Sequence, residues 1–259
     1  MKALAARRRS RLAPLVLVAL ALVVIGGAYA AVAPQPATAA EASEDQIALG
    51  EQIFLANCAT CHGVNAAGTD VAPSLIGVGA AAVDFQVSTG RMPMSSNTAQ
   101  AEAKPVQLDA DQIAALAAYV ASLGAGPTIP SPEMIDPSLG NAANGMELFR
   151  TNCAQCHNAV GAGGALSEGK FAPALTNTDP VHVYEAMLTG PQSMPVFNDA
   201  NITPEEKRDI IAYLAAQDES RSGIFDLSGL GPVAEGVWVW VVGVGLLIGA
   251  TVWFGARSS

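Results

Sequence analysis

The sequence predicts a mainly α-helical chain in which one small domain occurs twice in tandem, with a hydrophobic segment before the pair and a transmembrane helix after it. Three observations predict this. The pentad Cys58-Ala59-Thr60-Cys61-His62 returns 95 positions later as Cys153-Ala154-Gln155-Cys156-His157, with matching landmarks on either side. Apolar residues recur at helical spacing behind capping signals in both halves. Two long uncharged runs flank the pair.

The two pentads hold all four cysteines and two of the three histidines. C-x-x-C-H is the attachment signal of a c-type haem. Two thiols one helical turn apart add to the porphyrin vinyl groups, and the adjacent imidazole becomes the proximal iron ligand. Four cysteines could instead make a zinc site or two dithiol couples. Both alternatives leave the histidine of each pentad unexplained. The expected cofactors are therefore two covalently bound haem c groups, attached through Cys58, Cys61, Cys153 and Cys156. A bound porphyrin would also fill the thin core implied by 5% aromatic content.

In chain order, residues 1–11 form a basic head containing Arg7, Arg8, Arg9 and Arg11. Residues 12–33 carry no charge over 22 positions, a length that favours a retained anchor of about 20 residues over a signal-peptide core of about 7–15. The small-x-small sites at Ala28-Tyr29-Ala30 and Ala37-Thr38-Ala39 keep a cleaved signal open. In either case the basic end stays in the cytoplasm and the following domains are exported. Residues 34–42 read as a spacer.

The first domain is expected at 43–124. Ser43 and Gln46 form a capping-box pattern, ahead of a helix carrying Ile47, Leu49, Ile53, Phe54 and Leu55. Asp109 and Gln112 repeat the pattern before Ile113, Leu116, Val120 and Leu123. Residues 125–141 contain prolines at 127, 130, 132 and 137 and read as a stiff, extended linker. The second domain, 142–219, replays the first. Gly50, Phe54 and Tyr119 return as Gly145, Phe149 and Tyr213; Pro73 and Leu75 return as Pro173 and Leu175. Its closing helix starts from Thr203-Pro204-Glu205-Glu206, with proline at the permitted first position. Gly50 and Gly145 are expected to let the first helix of each domain cross the last one closely.

After a linker at 220–236, residues 237–256 are again uncharged. All three tryptophans lie there, at 238, 240 and 253, with Arg257 just beyond. Aromatic residues at both ends and a cation on the cytoplasmic side describe a membrane span. Between Glu41 and Glu235 the chain carries 23 acidic residues against seven basic ones, a balance of −16. That excludes nucleic acid as a partner.

A histidine-held haem iron has one further axial position, and a thioether there raises the reduction potential and suits electron transfer. Met92 and Met194 each follow a Thr-Gly pair and directly precede proline. The expected iron ligands are His62 with Met92 and His157 with Met194, Met94 competing with Met92. Pro73 and Pro173 are expected to supply carbonyls that orient the histidines. His182, at an apparent helix start, is read as a surface or packing residue rather than an iron ligand.

With these residues in view, each half resembles a small class I c-type cytochrome. The whole arrangement resembles the dihaem cytochrome cc subunit of the actinobacterial type of cytochrome bc complex. Pro73-Ser74-Leu75-Ile76-Gly77-Val78-Gly79, the stretch from Phe85 to Pro93, and Gly163-Gly164-Ala165-Leu166 are similar to that family's motifs. The resemblance implies two tandem cytochrome c domains and partners comprising cytochrome b, the Rieske iron–sulfur subunit and the copper-bearing subunit of a terminal oxidase. It implies an electron-transfer role within a quinol–cytochrome c reductase complex and supercomplex, with no substrate-converting site in this chain. Electrons would come in at the haem of His62 and leave from that of His157. The location implied is the cell membrane, haem domains outside the cytoplasm, multi-pass or single-pass according to the fate of residues 12–33. The acidic balance fits a tethered carrier, which gains effective concentration from its anchor and needs little electrostatic steering. The competing readings are a dihaem enzyme of the peroxidase or thiosulfate dehydrogenase type, and an anchored carrier for another oxidoreductase.

Overall fold

The computed structural model describes residues 13–32, 42–96, 98–220 and 232–257. The basic head, most of both spacers and the C-terminal end lie outside them. Helix α1, Ala13–Val32, forms a unit of its own, and its described side chains from Pro14 to Gly27 are exposed.

In the first domain α2 (Glu44–Asn57) runs into the one-turn α3 (Ala59–His62), followed by α4 (Gly79–Ser88) and α5 (Ala110–Ser122). Ser43 caps α2 by accepting from the Gln46 amide, while Asp109 and Gln112 form the full reciprocal box on α5. Reciprocal pairing satisfies two of the amides that every helix start leaves open. Helix α2 buries Gly50, Ile53 and Phe54 against α5, which presents Ile113, Leu116, Tyr119 and Val120. Leu49 and Leu55 do not join this face. They stay 45% and 48% exposed, because they lie one and five positions from Gly50, about 100° and 140° round the helix from the crossing.

The glycine is required there. A Cβ on Gly50 would lie 2.0 Å from the Ala115 carbonyl oxygen, and one on Gly145 would lie 1.9 Å from that of Asp209. Close crossing in turn brings Phe54 to Tyr119 and Phe149 to Tyr213, with ring centroids 5.3 and 5.4 Å apart.

The segment between the domains departs from the extended linker expected of it. It contains the one-turn helix α6 (Pro132–Ile135) and a 3-10 turn at Pro137–Leu139. Each starts on a proline, whose missing N–H costs nothing in a first turn. Met134 and Ile135 pack on the second core, and the Pro127 carbonyl accepts from the Ala81 amide at 3.1 Å. The segment is thus fastened to both halves.

The second domain comprises α7 (Ala142–Asn152), α8 (Ala154–His157), a two-residue antiparallel pair β1 (Gly164–Ala165) and β2 (Phe171–Ala172), α9 (Pro180–Thr189) and α10 (Pro204–Ser220). Helix α7 packs on α10 around Phe149, Ile210, Tyr213 and Leu214. Thr203 and Glu206 cap α10 reciprocally. The fully buried Lys207 reaches Asp199 at 2.6 Å and the Ile202 carbonyl at 2.7 Å, so its ammonium is paired where burial alone would be costly.

The two domains meet along α4 and α9. His182 Nε2 lies 2.8 Å from Ser88 Oγ, and its ring meets Phe85 edge-on at 6.3 Å. The Gln100 side chain donates to the Phe171 carbonyl at 2.8 Å and accepts from the Phe171 amide at 2.9 Å, extending the short β pair with an amide in place of a strand. Helix α11, Pro232–Arg257, closes the chain. Its Val239–Arg257 stretch is long and apolar enough to cross a membrane, and the Arg257 guanidinium lies 4.3 Å from the Trp253 ring centroid.

Candidate functional site

Both pentads are built alike. Cys58 ends α2 by donating its amide to the Phe54 carbonyl, and Cys153 ends α7 on that of Phe149. The chain then makes one further turn, with the amides of His62 and His157 donating to the Cys58 and Cys153 carbonyls at 3.0 and 2.9 Å. One helical turn is therefore what spaces the two thiols and sets the imidazole beside them.

Each histidine is buried and oriented by a single bond. His62 Nδ1 lies 2.8 Å from the Pro73 carbonyl, and His157 Nδ1 lies 2.9 Å from that of Pro173. A carbonyl can only accept, so Nδ1 carries the hydrogen and Nε2 keeps its lone pair for a ligand. Burial lowers the His157 pKa, the Pro173 hydrogen bond opposing it, and the ring stays neutral as a metal ligand must.

Each imidazole opens on a cavity. The first, about 260 Å³, is lined by Cys58, His62, Pro73, Leu75, Met92, Leu116 and Val120. The second, about 270 Å³, is lined by Cys153, Cys156, His157, Pro173, Met194 and Leu214, and also by Phe85, Arg91 and Gln100 from the first domain. Met92 lines the first cavity, and Met94 is not among its lining residues. His182 stands on the rim of the second cavity, packed in the seam between the domains.

The chemistry of the donors fits a haem in each cavity. Burial first, then the neighbouring Cys61 or Cys156, pushes the Cys58 and Cys153 thiols up to about 11. Such surroundings disfavour a thiolate and suit an uncharged thioether. Among the described residues no group that includes a cysteine gathers three metal-ligand atoms. Each cavity instead offers one imidazole nitrogen and one thioether within an apolar wall, a donor set that suits haem iron. Arg91, Phe85 and Gln100 were not legible as parts of the second site from sequence.

A family model for cytochrome c matches residues 47–124, and one for cytochrome c oxidase, cbb3-type, subunit III matches residues 140–214. A cytochrome bc1 complex cytochrome c subunit of Mycobacterium tuberculosis is 47% identical over 261 residues, covering 97% of this chain and 93% of its own. The subunit of that name in Corynebacterium diphtheriae is 43% identical, covering 99% of both chains. The Mycobacterium leprae subunit is 45% identical and covers 93% of this chain and 87% of its own.

Proposed function

The chain belongs to the family of cytochrome bc1 complex cytochrome c subunits, and on that premise we propose that it carries electrons from a Rieske iron–sulfur subunit to the copper centre of a terminal oxidase. Its partners in this reading are cytochrome b, the Rieske subunit and the copper-bearing oxidase subunit, within one membrane assembly. The chain contributes to a quinol–cytochrome c reductase and converts no substrate itself. Electrons come in at the first domain and leave from the second.

The ligand assignment that supports this is His62 with Met92 and His157 with Met194, the haems being attached at Cys58, Cys61, Cys153 and Cys156. When bound, each haem iron supplies a one-electron couple whose potential the thioether raises. The residues of the chain do the rest. Pro73 and Pro173 hold each imidazole in the tautomer that presents Nε2, and the apolar cavity walls keep water from the iron.

One observation carries the route. The two cavities share the Arg91–Met92 segment, Met92 lining the first and Arg91 the second. Two redox sites built against a common stretch of chain form a relay, whereas a dihaem enzyme needs one iron with an open position. Helix α11, where it spans the membrane, keeps the relay beside fixed neighbours and makes a diffusing carrier unnecessary.

The deciding experiment is the optical spectrum of the tagged chain purified in mild detergent. Haems of b and a type in fixed ratio to the c-type haems are expected. A preparation with c-type absorbance alone, or quinol oxidation that depends on added soluble cytochrome c, sinks the supercomplex reading.

A further inference from the structure

We propose that the seam between the two domains binds a divalent cation of the borderline first-row class, with Zn2+ as its representative, through Asp84 of α4 and His182 and Glu185 of α9. One ligand atom from each of the three residues lies within 4.8 Å of the others. Glu185 is fully buried, no amide, hydroxyl or cationic donor meets its carboxylate oxygens, and the Asp84 carboxyl is its side-chain neighbour. A buried carboxylate so placed needs a proton, a cation or a metal.

The third group favours the metal. Ser88 has one hydroxyl proton, and it donates that proton to the Asp84 backbone carbonyl. Its oxygen can then only accept from His182 Nε2, 2.8 Å away. His182 therefore holds its hydrogen on Nε2 and keeps Nδ1 as the basic nitrogen. This is the arrangement of a metal-ligating histidine, whose second nitrogen is fixed by an outer partner. His182 and Glu185 stand three residues apart on α9, a spacing that puts both side chains on one helix face.

The local charge also asks for a dication. Asp84 and Asp179 act on His182 and Glu185 as negative groups, with Arg91 the guanidinium that opposes them at His182; burial first, then Asp84, raises the Glu185 pKa to about 9, so a dication that binds there displaces a proton. One imidazole with two carboxylates is a donor set for zinc, whereas Ca2+ and Mg2+ favour oxygen alone. Ligand bonds to zinc of about 2.0–2.2 Å put neighbouring donor atoms about 3.5 Å apart, within reach of small side-chain rotations from the present positions. A cation here ties α4 to α9. It also places positive charge beside His182, on the rim of the second cavity.

The test uses the detergent-solubilised complex containing the full chain, stripped with chelator, incubated with Zn2+ and freed of excess. Elemental analysis is expected to give one more zinc per two c-type haems in the wild type than in an Asp84→Asn/Glu185→Gln variant that retains both haem bands. Zinc K-edge absorption of the wild type is expected to include one imidazole nitrogen that a His182→Gln variant lacks. Equal zinc in wild type and double variant overturns the proposal and assigns the carboxylates a shared proton. If the variants lose haem, the wild type decides alone: a zinc site with no imidazole and oxygen pair, or no stoichiometric zinc, overturns it. None of these readouts depends on where the electrons go.

Discussion

Arg91 and Met92 are neighbours in the chain and line different cavities, Met92 the first and Arg91 the second. The guanidinium is held 4.8 Å from the Phe85 ring centroid, and Phe85 borders the same second cavity. One domain therefore supplies a fixed positive charge to the redox site of the other.

A nearby cation favours the reduced, less positive iron. Arg91→Leu is expected to lower the potential of the second haem by about 1 kcal/mol, on the order of 40 mV for a one-electron couple. Arg91→Lys keeps the charge and should recover most of the shift. Spectroelectrochemical titration resolves the two haems. A larger shift in the first haem than in the second would contradict the arrangement.

The axial assignment makes a separate prediction. Met92→Ala and Met194→Ala each leave one iron without its thioether, and the reduced protein should then bind carbon monoxide at one haem per chain. Met94→Ala should leave carbon monoxide binding at the low wild-type level, because Met94 does not line the first cavity. If Met94→Ala opens a haem and Met92→Ala does not, the two residues exchange roles.

Local chemistry made much of this site legible in the sequence, and long-range packing hid the rest. The C-x-x-C-H turn is set within five residues, so its geometry follows from the motif. The Pro73 and Pro173 carbonyls lie only 11 and 16 residues from their histidines and were legible because the repeat marked both prolines. The seam is different. Ser88 and His182 are 94 residues apart, Gln100 and Phe171 are 71 apart, and no motif pairs them. Periodicity likewise placed Leu49 and Leu55 on an apolar helix without showing that Gly50 defines the buried side.

That close crossing can be tested directly. In Gly145→Ala the new methyl would sit 1.9 Å from the Asp209 carbonyl oxygen, which belongs to the α10 backbone. Because backbone cannot rotate away, α7 and α10 must separate and the Phe149–Tyr213 contact is lost, at a cost of about 3 kcal/mol or more. The second domain should then fail to retain its cofactor. The haem-to-protein ratio is expected to fall from two toward one, and a ratio that stays at two refutes the packing argument.

The turn after each pentad holds the opposite opportunity. Gly63 leaves the first with φ 78° and ψ 152°, while the equivalent Asn158 adopts φ 67° and ψ 156°. This region is open to glycine and costs other residues about 1–3 kcal/mol. Asn158 recovers little of that, since its side chain accepts only one long bond, 3.4 Å from the Val160 amide. Glycine loses more backbone entropy on folding, about 0.5–1 kcal/mol, so Asn158→Gly should stabilise the second domain by about 1 kcal/mol and raise its melting temperature by about 4–8 °C. Circular dichroism in the haem bands reports both haem domains during heating, and the component that differs from wild type is that of the second; the tryptophans, all on α11, report neither. An unchanged or lowered midpoint would mean that the asparagine side chain contributes more to this turn than its backbone strain removes.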